Sequence, residues 1–130
     1  MLSSDAFSYV NLLDMTADVS WQRETLITNN IANGDTPGYK RQDIEFESVL
    51  RDALINSHER TLDKAAAAIQ FDDLEGIEYT DYENYSYRLD GNNVDVDTEN
   101  VELASEQLRY SALTTSITNQ FNRFSAVTQS

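Results

Sequence analysis

Helical periodicity at both ends of the chain constrains its fold more than any other feature of the sequence. From residue 4 to residue 33, apolar residues recur at intervals of three and four, the spacing of one face of an α-helix. Ile27 and Ile31 continue this stripe after a polar gap. A second stripe occupies residues 97–130. The pattern predicts a mainly α fold, with long N- and C-terminal helices that pack as a coiled-coil-like pair.

These two stripes are also the predicted assembly surface, because a single amphipathic helix cannot bury its own apolar face. The helices can pair with each other or with those of neighbouring subunits. After Glu106 the chain has no acidic residue and only two basic ones, Arg109 and Arg123, and this nearly uncharged end favours contact with neighbours. The residues predicted to form the interface are Val10, Leu13, Ala17, Trp21, Leu103, Tyr110, Leu113, Ile117, Phe121 and Phe124.

A turn or connector is predicted at residues 34–42, directly after the first helix. Gly34 is expected to end the helix, where a glycine is free to take a positive φ. Pro37 presets its own φ, and Gly38 permits the positive φ that a type II turn needs at the next position. The connector leads into a middle region, residues 43–96.

The middle region has mixed patterns. Helical spacing of apolar residues between 46 and 54 predicts a helix that begins near Asp43 and either frays or continues to the alanine run at residues 65–68. Alternation at residues 77–79 and 85–89 favours two short strands, although an ordered loop fits the same acidic segment. The last helix is expected to be capped by Asp97 or Thr98.

The charge and composition exclude several classes of function. The formal net charge is −14, which disfavours binding to nucleic acid or to an anionic membrane surface. The chain has no cysteine, so it has no disulfide, thiolate zinc site or cysteine nucleophile. No apolar run has membrane-spanning length and no secretory signal is recognised, so we expect no direct membrane insertion and no cleaved signal peptide.

Two patterns suggest a reactive or metal-binding site, but neither has the residues that such a site requires. Residues 90–99 resemble a calcium loop with its best register at Asn93, but Thr98 and Ala104 then stand where an EF-hand needs Gly and Glu. His58 is the only histidine, and no nucleophile-elbow sequence lies near it. We therefore expect no catalytic residue, no metal site and no cofactor, and predict that the protein is not an enzyme.

Two motifs resemble the flagellar axial family, which comprises rod, hook and hook-associated proteins. The first has the spacing Asn, x, Ala, Asn, two variable residues, Thr, x, Gly, aromatic, basic. The second precedes the last helix and is similar to the proximal rod subunit of that family. The motif residues are Asn30, Ala32, Asn33, Thr36, Pro37, Gly38, Tyr39 and Lys40 in the first and Asp90, Gly91, Asn92, Val94 and Asp95 in the second.

This resemblance implies a structural subunit of the bacterial flagellar basal body, in the cell envelope. Such a subunit is exported by the flagellum's own type III apparatus and polymerises through its terminal helices into a drive-shaft tube, which transmits torque and lets export substrates pass. Residues 1–33 and 97–130 are then the helices of the rod core. The implied partners are copies of the chain, other rod subunits, ring and adaptor proteins of the basal body, and the export apparatus.

A cytosolic helical adaptor or export chaperone is the alternative interpretation, and the acidic charge is compatible with it. The two motifs together favour the rod subunit, because an unrelated chaperone has no reason to carry both.

Overall fold

A computed structural model describes residues 4–56, 64, 77–81 and 90–129 of the chain. Two long helices dominate it: α1, Ser4–Ala32, and α3, Val96–Thr128. They pack against each other within one chain. The predicted fold class, mainly α with long terminal helices that pack together and a small β element between them, is therefore confirmed.

The segment between the long helices contains a strand, a short helix and a second strand. These are β1, Gln42–Glu45, then α2, Glu47–Asn56, and then β2, Ile77–Thr80. The two strands form an antiparallel two-stranded sheet, in which residue 42 lies opposite residue 80 and residue 45 opposite residue 77. The strand predicted around residues 77–79 is confirmed, and its partner is β1. The strand predicted at residues 85–89 and the helix extension towards residue 68 lie outside the described residues.

α1 and α3 run antiparallel. Ser20 Oγ lies 2.6 Å from Glu106 Oε1. Further towards the C-terminus of α1, Asn30 Nδ2 lies 3.2 Å from Glu99 Oε2. Residues later in α1 therefore contact residues earlier in α3. This antiparallel arrangement brings the residues just after α1 close to those just before α3.

The seam between the two long helices follows alternate spacings of three and four residues, as in a coiled coil. Ser20 and Glu24 occupy seam positions and close the gap in the predicted stripe of α1. Trp21 and Phe121 lie beside the seam, with exposed fractions of 58% and 54%. The partly or fully buried seam residues are Val10, Leu13, Ala17, Ser20, Glu24, Ile27 and Ile31 in α1 and Glu99, Leu103, Glu106, Tyr110, Leu113, Ile117, Gln120 and Phe124 in α3.

The apolar core lies on another face of α1, which packs on β1 and α2. Its fully buried members are Leu12, Leu26, Ile44 and Phe46. The partly buried residues packed against them are Met15, Val19, Val49, Leu50, Ala53 and Leu54. α1 is therefore apolar on two faces, one for α3 and one for the middle region, and a single predicted stripe does not describe it.

The helix predicted to begin near Asp43 was wrong at its start. Residues 42–45 form β1, and α2 begins at Glu47. Asp43 is 6% exposed, and Asp43 Oδ1 accepts a hydrogen bond of 2.7 Å from the backbone N–H of Ile44. Strand pairing and the buried ion pairs of Asp43 override the local helical pattern in this segment.

The predicted cap of the last helix, Asp97 or Thr98, was also wrong, by two or three residues. Asp95 is the N-cap of α3: its Oδ1 accepts from the backbone N–H of Asp97 at 3.1 Å and of Thr98 at 3.3 Å. This cap satisfies two of the donors that a helix N-terminus leaves free. Among the described residues, no helix combines the length and apolarity that a membrane crossing requires.

Candidate assembly site

The two sequence motifs dock onto each other in the folded chain, and Asn92 joins them. Asn92 is 1% exposed, and its Nδ2 donates to three backbone carbonyls of the first motif, at distances between 2.9 and 3.1 Å. Those carbonyls belong to Asn33, Gly34 and Thr36. Asn92 Oδ1 accepts from the backbone N–H of Val94 at 2.7 Å. A buried asparagine with these partners holds the connector against the residues that lead into α3.

The connector contains the predicted turn. The backbone N–H of Tyr39 donates to the Thr36 carbonyl at 3.2 Å, and Gly38 has φ = 74°. The backbone N–H of Gly38 also donates to the carbonyl of Asp90 at 2.8 Å. The turn that begins at Thr36 therefore has the positive φ expected of Gly38, and it presents its backbone directly to the second motif.

Gly34 follows the end of α1 as expected, but the expected reason, a positive φ, was wrong. A glycine is needed at this position because a side chain has no space. In this region, the glycines with positive φ are Gly38 and Gly91. Gly34 is buried, and a Cβ atom added to it would lie 2.8 Å from Val96 Cγ2 and 3.2 Å from the Ile31 carbonyl. The close approach of the start of α3 to the end of α1 explains this glycine.

Lys40 and Arg41 continue the contact between the motifs. Lys40 Nζ donates to the Gly91 carbonyl at 2.5 Å. The backbone N–H of Arg41 donates to Asn93 Oδ1 at 2.8 Å, while Asn93 Nδ2 donates to the Asp81 carbonyl at 2.8 Å. Asn93 therefore links the connector, the residue that follows β2 and the segment before α3.

Asn30, the first residue of the first motif, completes the free edge of β1. Its Oδ1 accepts from the backbone N–H of Gln42 at 2.9 Å, and its Nδ2 donates to the Gln42 carbonyl at 2.8 Å. The Tyr39 hydroxyl donates to the same Oδ1 at 3.3 Å. Asn30 is fully buried, and its amide takes the place of a neighbouring strand at that position.

A cluster of buried charges, which we name the arginine cluster, fixes α3 against α1 and β1. Arg23 binds three carboxylates: Asp43 at 2.8 Å, Glu106 at 2.7 Å and Glu102 at 2.9 Å. Glu106 is 2% exposed, and it also accepts from Ser20. Arg23 therefore bridges one residue of β1 and two of α3.

Arg41 forms the other half of the arginine cluster. Its Nε lies 2.6 Å from Glu99 Oε1, and its Nη2 lies 3.1 Å from Asp43 Oδ2. Glu99 is 2% exposed. Because Asp43 binds Arg41 and Arg23 together, β1 is tied to two points of α3 that lie seven residues apart.

The pKa shifts follow from burial and from these partners. Burial alone would lower the pKa of Arg23, but hydrogen bonds to three carboxylates raise it above its ordinary value. Burial would raise the pKa of Asp43, but hydrogen bonds from Arg23 and from the Ile44 N–H hold it below its ordinary value. Both groups are therefore charged at neutral pH.

Glu24 is the poorly satisfied member of the helix seam. Its Oε1 atom is buried and has no hydrogen-bond partner among the described residues. Burial raises the pKa of Glu24, and the nearby charge of Glu106 raises it further. A carboxylate in this position weakens the helix pair, so its presence has a cost in stability.

α3 leaves much of its apolar surface uncovered. In the described part of this helix, the fully buried residues are two glutamates, Glu99 and Glu106. Large apolar residues on the same helix remain mostly exposed: Leu108 at 74%, Val101 at 69% and Val127 at 64%. The hairpin of α1 and α3 is thus held by specific polar contacts, while its outer surface keeps apolar side chains available for another molecule.

The predicted interface residues lie in different environments. Val10 and Ala17 are buried between the helices, and Trp21 packs on Tyr110 with the ring centres 5.7 Å apart. The half-buried residues of the set are Leu13, Leu103, Tyr110, Leu113, Ile117 and Phe124. Most of the set therefore forms the intrachain seam, and Trp21 and Phe121 are the members with the most exposed surface.

The motif residues differ in burial. The buried ones are Asn30, Asn92 and Val94, and the half-buried ones are Asn33, Tyr39, Lys40, Asp90 and Gly91. The exposed ones are Ala32, Thr36, Pro37, Gly38 and Asp95.

The acidic residues that resemble a calcium loop serve in the turn and in the helix cap. Asp90 Oδ1 accepts from the Asn92 N–H at 3.1 Å, and Asp95 caps α3. No group of three or more potential metal ligands occurs among the described residues.

Sequence reasoning missed the arginine cluster, whose pairs are separated by up to 83 residues. One signal was present in the sequence. Glu99 and Glu106 interrupt an apolar stripe at seam positions, and a charged residue in such a position needs a buried partner.

Comparison with known proteins identifies the family. The chain is 35% identical over 116 residues to the flagellar basal body rod protein FlgB of Bacillus subtilis, covering 81% of each chain. It is 31% identical to the protein of the same name in Escherichia coli, covering 84% of each. For that of Salmonella typhimurium, the identity is 33%, over 68% of this chain and 70% of the relative. No protein-family model matches the chain. The identity over more than two thirds of each relative shows that this chain belongs to the FlgB family of flagellar basal body rod proteins, which are structural proteins.

Proposed function

We propose that this chain is a structural subunit of the proximal rod, and that it polymerises through α1 and α3 into the tube that transmits torque and lets export substrates pass. Its partners are other copies, other rod subunits, ring and adaptor proteins of the basal body, and the export apparatus. The family membership and the uncovered surface of the terminal helices support this proposal.

The observation that carries the proposal is the exposure of apolar side chains on α3. A helix of 33 residues that fully buries two glutamates while leaving Leu108 74% exposed is not covered by its own chain. Stable exposure of such side chains in a monomer is unfavourable, and contact with neighbouring subunits removes it. Open helical assembly uses different faces of a subunit on its two sides, so several exposed faces are expected.

The helical adaptor or chaperone remains the alternative function. It too would use exposed helix faces to bind a partner. The docked motifs favour the rod subunit. They join the segment after α1 to the segment before α3 at one end of the helix pair, and they leave the outer surfaces of the helices uncovered.

The proposal is tested by placing a charge on the exposed surface of α3. In cells in which the variant gene replaces the native one, Leu108→Asp should abolish swimming and leave the amount of protein unchanged, since Leu108 is not part of the folded core. Ile55→Asp is the matched control, because Ile55 is 64% exposed but lies on α2. It should swim normally. Normal swimming of the Leu108 variant would contradict assembly through this surface.

A further inference from the structure

The last part of α3 carries one isolated positive charge. Residues 111–128, which we name the distal segment, contain Arg123 and no other charged residue. Arg123 is exposed, and no hydrogen bond or ion pair joins its side chain to the described part of the chain. The nearest residues in sequence are uncharged, so this cation has no local partner.

The exposed side of α1 carries the complementary charge. Asp14 and Asp18 are both exposed and lie four residues apart, which places them on one face of the helix. Neither carboxylate forms an ion pair with another described residue. Their spacing allows one guanidinium group to lie between them.

These charges do not meet within one subunit. The contacts of Ser20 with Glu106 and of Asn30 with Glu99 place Asp14 opposite residues 112–115 of α3, so Arg123 lies about 12–17 Å further along the helix axis. The side chains also project away from the seam, since all three are exposed. An ion pair between them therefore requires two copies of the chain.

We propose that Arg123 of one copy binds Asp14 and Asp18 of a neighbouring copy, with the distal segment of α3 lying along the exposed face of α1. This inference rests on the proposed assembly function and names one of its contacts. It joins two different faces, so it is a heterologous contact that extends an open assembly. Parallel neighbours joined in this way are offset along the helix axis by about 15–20 Å, the axial distance from Arg123 to the midpoint between Asp14 and Asp18 in one copy.

The overall charge of the chain favours this surface over others. Copies with a net charge of −14 repel each other, and acidic residues occur on α1, α2 and the start of α3. The distal segment is free of acids and is therefore the part of α3 that can approach another acidic copy with least repulsion. Arg123 converts that approach into attraction and fixes its direction.

A charge exchange tests this contact. In cells that carry only the variant gene, Arg123→Glu alone should reduce the fraction of flagellated cells at least tenfold, and so should the pair Asp14→Arg with Asp18→Arg. The triple variant should restore that fraction to within about twofold of the native protein, because the attraction is re-established with the signs reversed. Arg51→Glu is the control: Arg51 is also an exposed arginine, but it lies on α2, and this variant should assemble normally.

Failure of the triple variant to recover when the separate changes are harmful would overturn the contact, and so would a harmless Arg123→Glu. Neither result would affect the proposed function, which depends on the separate outcome of Leu108→Asp. Rescue by charge exchange cannot arise from misfolding, because a misfolded variant gains nothing from a second reversal.

Discussion

The two halves of α3 hold the rest of the molecule in different ways. In residues 96–110, which we name the junction segment, Glu99 and Glu106 are buried and bind Arg41 and Arg23. In the distal segment, the side chains that face α1 are half-buried and uncharged, and no fully buried residue occurs among those described. The junction segment is therefore attached in one register by directional bonds, and the distal segment rests on partial apolar contact.

This difference indicates a division of tasks within one continuous helix. Buried charge pairs contribute little net stability, but they specify register because an out-of-register pairing leaves charges unpaired. Apolar contact is less specific and can be exchanged for contact with a neighbour. The junction segment thus sets the register of the helix pair, and in the assembly proposed above the distal segment can exchange part of its contact with α1 for contact with a neighbour.

The largest expected effect comes from removing one arginine of the cluster. Arg23→Met should lower the free energy of unfolding by about 3–5 kcal/mol, because the buried Glu106 loses its closest cation and the buried Asp43 keeps Arg41 alone. Arg123→Met is the same chemical change on the distal segment, where the side chain is exposed, and should change it by less than about 0.5 kcal/mol. Denaturant unfolding followed by circular dichroism measures both. Similar losses for the two variants would remove the distinction between the halves.

A smaller effect is expected at the glycines of the connector, which act by different mechanisms. Gly34→Ala should cost about 1–3 kcal/mol, since the new Cβ would lie 2.8 Å from Val96 Cγ2 and push the start of α3 away. Gly38→Asn should cost much less, because no atom lies within 4 Å of the added Cβ and asparagine tolerates a positive φ. The same unfolding measurement checks this order, and a larger loss for Gly38→Asn would contradict the close approach of α3 to α1.

The smallest effect is a dependence on pH that belongs to the junction segment and its partners. The folded-state pKa of Glu24 is raised, so stability should increase slightly as the pH falls through that pKa from neutral. The folded-state pKa of Asp43 is lowered, so its stabilising contribution is present above its unfolded pKa of about 4 and is lost as the pH falls below that value.

Glu24→Gln should abolish the increase in the free energy of unfolding at mildly acidic pH. It should leave unchanged the decrease at lower pH, which comes from Asp43. Unfolding curves measured from neutral pH to about pH 3 separate the two contributions. An unchanged acidic gain in this variant would show that another group is responsible.

The sequence predicts the helices and the turn because their signals are local. Apolar spacing gives α1 and α3 to within a few residues, and the pair Pro37 and Gly38 gives the turn. The start of α2 was not predictable in the same way, because strand pairing and ion pairs made far along the chain decide the conformation at Asp43. Gly34 likewise depends on the distant side chain of Val96.

The sequence predicts the two motifs of the site, but not the contact between them. The spacing of each motif is visible in the sequence, whereas their union through Asn92 depends on the antiparallel packing of α1 and α3. The predicted stripe of α1 includes Trp21 because only apolar residues were counted. When polar residues at the same regular spacing are also counted, the seam contains Ser20 and Glu24 instead, and Ser20 contacts Glu106.

Hydrogen exchange along α3 in the isolated, full-length subunit tests the central claim most directly. We expect the amides of the junction segment to exchange slowly, because Glu99 and Glu106 tie this part of the helix to Arg41 and Arg23. The amides of the distal segment should exchange at least tenfold faster, since partial apolar contact alone holds it. Equal protection along the whole of α3 would contradict the division of the helix into a part fixed by directional bonds and a part held by partial apolar contact.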